Sequence, residues 1–299
     1  MRLLLQFPEG LKSKALGEAS KYEKEGHTVF ISATPCWGAC DLAIDEAKKI
    51  GADKLIHYGH AQFHPHDFPV EYKLYPITVP LDALQDALPQ LRPYRRIALV
   101  TTVSHIHQLQ QMKVILQAAK HQVLTTKGGL AILEGQVLGC DSSAADKLAK
   151  DADAIVYFGG GEFHPLGISS KKPVFAINPY ANSFEQLNSK LEKKRKKEEG
   201  MLIAVSQAKS IGIIASTKSG QCNIKMAENI AKKLRSYGKT ATILVTAEVD
   251  FSALSDFNSF DAYITTACPR LIDDSERFGK PVVNAAQIPR LLELAKKTQ

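Results

Sequence analysis

With 299 residues, 44% of them hydrophobic and 23% charged, the chain is long enough for two or three domains with real cores, and no apolar run nears the roughly 18 residues that cross a bilayer. "MRLLLQFPEG" reads as a first strand, not a signal peptide, and five cysteines are too sparse for a disulfide framework, so a reducing cytoplasm and no membrane are expected. Much of the +7 net charge lies in "KLEKKRKKEEG" (190–200), with no interleaved aromatics, so no direct nucleic-acid partner is expected.

In chain order, "RLLLQF" predicts a strand, followed by a helical stretch and a second strand, "HTVFIS". A loop with Cys40 and a helix come next, then strands at "KLIHY" and near "KLYPI". The pattern restarts with "RIALVTT", a helix over 104–120, "HQVLTT", a loop with Cys140 and a helix, "AIVYF" and "PVFAIN". A third round holds "SIGIIAST", a helix over 221–237, "ATILVT" and "YITTACPRL". Short β-branched runs alternating with helical stretches signal βαβ units and parallel sheets.

The rounds are copies of one unit. At an offset of 100, Cys40, Asp41, Ala52-Asp53, Gly59 and Phe63-His64-Pro65 fall on Cys140, Asp141, Ala152-Asp153, Gly159 and Phe163-His164-Pro165 without a gap. In the third round Asp261 precedes Pro281-Val282 by 20 residues, as Asp153 precedes Pro173-Val174. The expected fold class is therefore α/β, with three homologous small parallel-sheet domains over 1–93, 94–199 and 200–299, four strands each, in a pseudo-threefold arrangement. The third unit has Glu248 where Cys140 would fall, and places Cys268 after its third strand. Both kinds of loop leave strand C-termini, the edge at which parallel sheets gather ligands.

One cysteine per unit could aim three thiolates at a common centre. A structural zinc site normally takes four ligands in short pairs, whereas three soft thiolates suit an iron–sulfur cluster with one iron open. Buried cysteines are also common as small hydrophobes. Cys36 has Gln136 as its counterpart, and Cys222 sits at a helix start; neither is assigned a role. His57, His60, His64 and His66 with Asp67 form a rival metal-hydrolase set, weakened because only His64 recurs, as His164.

Together, "QFPEGL" (6–11), "WGACDLA" (37–43), "HYGHAQFHP" (57–65), "GQVLGCD" (135–141), "YFGGGEFHP" (157–165), "KSGQ" (218–221) and "TACPR" (266–270) give a chain that resembles the archaeal diphthamide-biosynthesis family of 2-(3-amino-3-carboxypropyl)histidine synthases over nearly its full length. The resemblance implies three α/β domains around a [4Fe–4S] cluster held by Cys40, Cys140 and Cys268. It implies S-adenosylmethionine as co-substrate at the open iron, without the radical-SAM barrel. It also implies reductive cleavage of the sulfur–γ-carbon bond and transfer of the aminocarboxypropyl group to a histidine of translation elongation factor 2, with an electron donor and a homodimer as further partners. For S-adenosylmethionine the expected contacts are Lys218, Gly220 and Gln221, at a helix start that favours anions, with Gly159, Gly160 and His60. A quinolinate-synthase-like or isoprenoid-reductase-like cluster enzyme, or a non-enzymatic scaffold binding a partner or RNA, are the alternatives.

Overall fold

The computed structural model describes residues 1–297. Its contacts separate one compact unit, Met1–Leu191, from a second that begins at Glu192. In the first, β1 (Arg2–Gln6), α1 (Ala15–Lys24), β2 (Thr28–Ile31), α2 (Ile44–Lys49), β3 (Lys54–Tyr58) and β4 (Val70–Lys73) form a sheet ordered β2-β1-β3-β4, parallel throughout. Alternate residues face opposite ways: Leu3, Leu5 and Ile56 pack with Ala15 and Ala19 of α1, while Leu4 and Leu55 meet Ile44 and Ala47 of α2. Both faces are covered, as a parallel sheet requires. Each of these strand leucines is at most 3% exposed, and burying it contributes about 1.5–3 kcal/mol.

The same unit continues with α3 (Asp82–Leu91), β5 (Arg96–Thr101), α4 (Leu109–Ala118), β6 (Gln122–Leu124), α5 (Ser143–Leu148), β7 (Ala154–Phe158), β8 (Val174–Asn178) and β9 (Ser183–Gln186). The second sheet runs β6-β5-β7-β8-β9, and β9 is antiparallel to β8. Although α3 precedes the second round of the pattern, it packs with α4 over Ile97, Leu99 and Val156 of this sheet; α5 covers Ala98, Val100 and Ile155.

After α6 (Asn188–Gln207), the second unit holds β10 (Ser210–Ser216), α7 (Ile224–Ser236), β11 (Thr240–Thr246), α8 (Phe251–Ser255), β12 (Ala262–Thr265), β13 (Val282–Asn284) and α9 (Ile288–Lys297). Its sheet is ordered β11-β10-β12-β13, again all parallel. The three sheets thus share one order for their four parallel strands, with β9 added to the second, and the repeated aspartate explains itself. Asp53, Asp153 and Asp261 each begin the turn into the third strand of a sheet. Each accepts the backbone N–H at the start of the first strand, from Arg2 at 2.7 Å, Arg96 at 2.8 Å and Ser210 at 2.8 Å. The carboxylate satisfies a strand-end donor that the ladder leaves open.

Four expectations need correction. The fourth strand of the first sheet is Val70–Lys73, ending where "KLYPI" begins, because Tyr75 takes a left-handed φ of 52° that a strand cannot continue through. The second sheet has five strands, since the chain after β8 turns back at Asn182 (φ 43°) and pairs as β9. The helix over 104–120 opens with a 3₁₀ turn, Ile106–Gln108, before α4, and the helix over 221–237 is confined to α7.

Candidate functional site

In each sheet the first strand lies between the second and third, so the strand order reverses there. The loops at the C-terminal edge beside it form the crevice where such sheets take ligands. Cys40 lies in the loop from β2 to α2, Cys140 in the loop from β6 to α5, and Cys268 directly after β12. Among the described residues no cysteine forms a disulfide; these three are partly exposed, whereas Cys36 is buried.

The Cys40 loop is clamped by Gln6, the last residue of β1. Its amide donates to the Asp41 carbonyl at 2.7 Å, and its Oε1 accepts from Ala43 N–H at 3.1 Å. Gly38 brings its backbone against the cysteine, since a Cβ there would stand 3.6 Å from Cys40 Sγ. The Cys140 loop is organised by the repeated aspartate. Asp141 accepts from Leu130 N–H at 2.6 Å, Ala131 N–H at 3.1 Å and Ser143 N–H at 3.0 Å. Burial alone would raise this carboxyl, but the hydrogen bonds from Ser143, Leu130 and Ala131 hold it below the usual range. Gly139 leaves room for the Phe163 ring, whose nearest carbon would lie 2.1 Å from an added Cβ.

Cys268 caps the 3₁₀ segment Pro269–Phe278. Burial pushes its thiol up, while backbone N–H groups of Arg270 and Leu271 and the Arg270 charge favour the thiolate. The Arg270 guanidinium is held by Asp273 at 2.5 Å. Amides and a cation beside the sulfur favour its thiolate, the form that ligates a metal cluster. Thiols alone, one on the ligand-gathering edge of each sheet, are the donor set a [4Fe–4S] cluster takes.

Lys218 lies in the loop after β10, with only 12% of its side chain exposed, and its ammonium pairs with Glu248. Glu248 is the residue standing where the repeat predicts a cysteine, so the third unit replaces a thiol by one half of an ion pair. Gln221 N–H closes a turn onto the Lys218 carbonyl at 2.9 Å, ahead of α7; Gly220 lies inside that turn. Asn223 joins this loop to the Cys268 loop by donating to Thr266 O at 3.4 Å. Lys218, Gly220 and Gln221 are thus brought to the loops flanking Cys268. Gly159 and Gly160 follow β7. Where side chains would stand they meet the Tyr157 hydroxyl, 2.6 Å from an added Cβ, and the Tyr180 ring at 3.1 Å.

The histidines separate. His64 donates from Nδ1 to Pro65 O at 2.8 Å, His66 engages Phe68 O and Tyr72, and Asp67 pairs with Lys48 at 3.6 Å. What the fold assembles instead is Cys36, His57 and His60, whose ligand atoms all lie within 4.8 Å of one another. His57 Nδ1 bonds Gln6 Oε1 at 2.9 Å, and its Nε2 meets His60 Nδ1 at 3.0 Å. Burial keeps both rings neutral, with His57 pushed down to about 3 and His60 to about 4. The repeat argued against Cys36, and no local spacing links it to His57. The missed signal is that polar Gln6 and His57 pair inside apolar strands.

The model of the diphthamide synthesis protein family matches residues 7–298. A 2-(3-amino-3-carboxypropyl)histidine synthase of Pyrococcus horikoshii is 34% identical over 98% of this chain and 86% of its own length. Subunit 1 of the Caenorhabditis elegans enzyme of that name is 30% identical, covering 93% of this chain and 72% of its own. Among solved structures, Dph2 from Pyrococcus horikoshii superposes with a TM-score of 0.89 at 34% identity, covering 98% of this chain and 86% of that one. The same protein solved with a 4Fe-4S cluster gives 0.86 with the same identity and coverage. The chain belongs to the diphthamide synthesis protein family.

Proposed function

We propose that this chain transfers the 3-amino-3-carboxypropyl group of S-adenosylmethionine to a histidine of translation elongation factor 2, the first step of diphthamide synthesis. The observation that carries this reading is the match over 98% of the chain to a protein named for that product. Cys40, Cys140 and Cys268 are the residues assigned to a [4Fe–4S] cluster. When bound, such a group supplies single-electron reduction of a sulfonium. In balance, a sulfur–γ-carbon bond is exchanged for a carbon–carbon bond to imidazole, with methylthioadenosine and a proton released.

The chain's own task is to decide which of three sulfur–carbon bonds reacts, and that is a matter of positioning. Lys218 lies in the loop that Asn223 joins to the Cys268 loop, and it carries an ion pair that a substrate carboxylate can compete for. The turn through Gly220 and Gln221 leads into α7, a 13-residue helix whose first N–H groups favour a substrate carboxylate. Gly159, Gly160 and the partly exposed edge of His60 are assigned to the nucleoside side. Among the described residues no helix is long and apolar enough to cross a membrane. A cytoplasmic homodimer served by a separate electron donor completes the reading.

The test is methylthioadenosine release. Anaerobically reconstituted, reduced protein should form it from S-adenosylmethionine, and Cys40→Ala, Cys140→Ala or Cys268→Ala should each abolish it. Release that survives all three substitutions would overturn the cluster assignment.

A further inference from the structure

We infer that the first sheet carries a second metal site, a Zn²⁺ ion held by Cys36 Sγ, His57 Nε2 and His60 Nδ1, separate from the three cysteines assigned to the cluster. Among the described residues this is the group of Cys, His, Asp and Glu side chains that could jointly hold a metal. Cys36 is 3% and His57 0% exposed and His60 is half-buried, so two of the three donors lie in the interior and the third at its edge.

The hydrogen bonds fix which atoms are available. The Gln6 amide donates to Asp41 O and its Oε1 accepts from Ala43 N–H, so Oε1 is an acceptor and His57 Nδ1 must donate to it. The His57 Nε2 lone pair is therefore turned toward His60 and Cys36. An imidazole ligand that gives its other N–H to an amide or carboxylate oxygen is the usual second shell of a zinc site. The 3.0 Å between His57 Nε2 and His60 Nδ1 is close to the about 3.3 Å that separates two nitrogens bound at 2.0–2.1 Å to one tetrahedral ion. Without metal the His60 Nδ1–H fills that gap as a hydrogen bond. Binding moves this proton to His60 Nε2, releases the Cys36 proton to solvent and forms a Zn–S bond, with no change of oxidation state. Both imidazoles are already neutral ligands.

The repeat supplies an independent argument. Gln6 and His57 are cross-strand neighbours, and the same position is Val100–Tyr157 in the second sheet and Ile214–Thr265 in the third. Cys36 falls on Gln136, and His60 on Gly160. The members of the cluster are thus all absent from the sister units. Burying such polar groups costs free energy unless they are satisfied, and the His–His bond leaves Cys36 with no part to play beyond a 4.0 Å approach to Gly38 O. One thiolate and two imidazoles form a borderline set that excludes Mg²⁺ and Ca²⁺, and three protein ligands leave the fourth position for water.

The test uses cluster-loaded holoenzyme from zinc-supplemented cells, analysed for zinc and iron together. Stoichiometric zinc is expected beside the cluster iron. Cys36→Ser and His57→Ala should each lose the zinc while keeping the iron, and Gln6→Ala should weaken zinc binding about 10–100-fold against a chelator. Replacing zinc by Co²⁺ in a protein with Cys40, Cys140 and Cys268 all changed to Ala should show the bands of a tetrahedral ion with a single thiolate. Circular dichroism identifies any variant that has simply unfolded. Holoenzyme without zinc, or zinc that survives both Cys36→Ser and His57→Ala, overturns the proposal. Zinc content is read without turnover, so failure of the transferase reading would leave this result unaffected.

Discussion

Replacing Asp141 by Ala removes the acceptor for three backbone N–H groups that shape the loop before α5. The donors are Leu130, Ala131 and Ser143, at 2.6, 3.1 and 3.0 Å. Hydrogen bonds to a charged group contribute about 1.5–3 kcal/mol each. Their simple sum overstates the loss, because Leu130 is 46% exposed and Ser143 only partly buried, so water replaces the carboxylate at both. Ala131 is 4% exposed and its N–H is left without a partner, which costs about 1–3 kcal/mol alone. A net loss of about 3 kcal/mol is expected. Urea unfolding followed by circular dichroism measures it, and hydrogen exchange at Leu130, Ala131 and Ser143 localises it. Iron content after reconstitution should fall with it, since Cys140 precedes the substituted residue. A loss under about 1 kcal/mol with unchanged exchange would refute the claim that this carboxylate shapes the loop.

Gly139→Ala should displace the Phe163 ring, which an added Cβ would approach to 2.1 Å; because that ring is 52% exposed it can swing outward, and the cost in urea unfolding should stay near about 1 kcal/mol. Asp153 is held below the usual carboxylate range by backbone and side-chain hydrogen bonds from Arg96, and Asp261 by the N–H groups of Ser210 and Lys209. Their folded values lie below the unfolded ones, so their stabilisation is complete above about pH 4 and is lost as pH falls through the folded values. Asp153→Asn and Asp261→Asn should therefore flatten the acid side of a stability–pH curve. Cys222, exposed in the turn before α7, should react with alkylating reagents in the cluster-loaded protein, and Cys222→Ser should leave reconstituted iron unchanged.

The repeat was legible because the residues that recur do local work in every copy. Asp53, Asp153 and Asp261 pin the third strand to the first, and Asp41 and Asp141 each follow a cysteine at the point where its loop is fastened, by Gln6 in one unit and by the Asp141 carboxylate in the other. Strand alternation gave the sheets for the same reason: residues of opposite parity face different helices. The antiparallel β9 was not legible, since "SFEQ" is mostly exposed and pairs only because Asn182 reverses the chain. Nor was the contact of Cys36 with His57 and His60. It joins a loop after β2 to the end of β3, and the repeat pointed away from Cys36 because its counterpart is Gln136. The polar Gln6 and His57 within apolar runs were the trace it left in the sequence.

The central claim is tested most directly by group transfer. Reduced, cluster-loaded protein is incubated with S-adenosylmethionine labelled in the carboxyl carbon, with and without archaeal elongation factor 2. Label on a histidine of the factor, with methylthioadenosine as co-product and neither appearing with Cys268→Ala, is the result expected. A protein that forms the cluster but transfers no label and releases no methylthioadenosine would contradict the assignment and leave a cluster enzyme acting on another substrate.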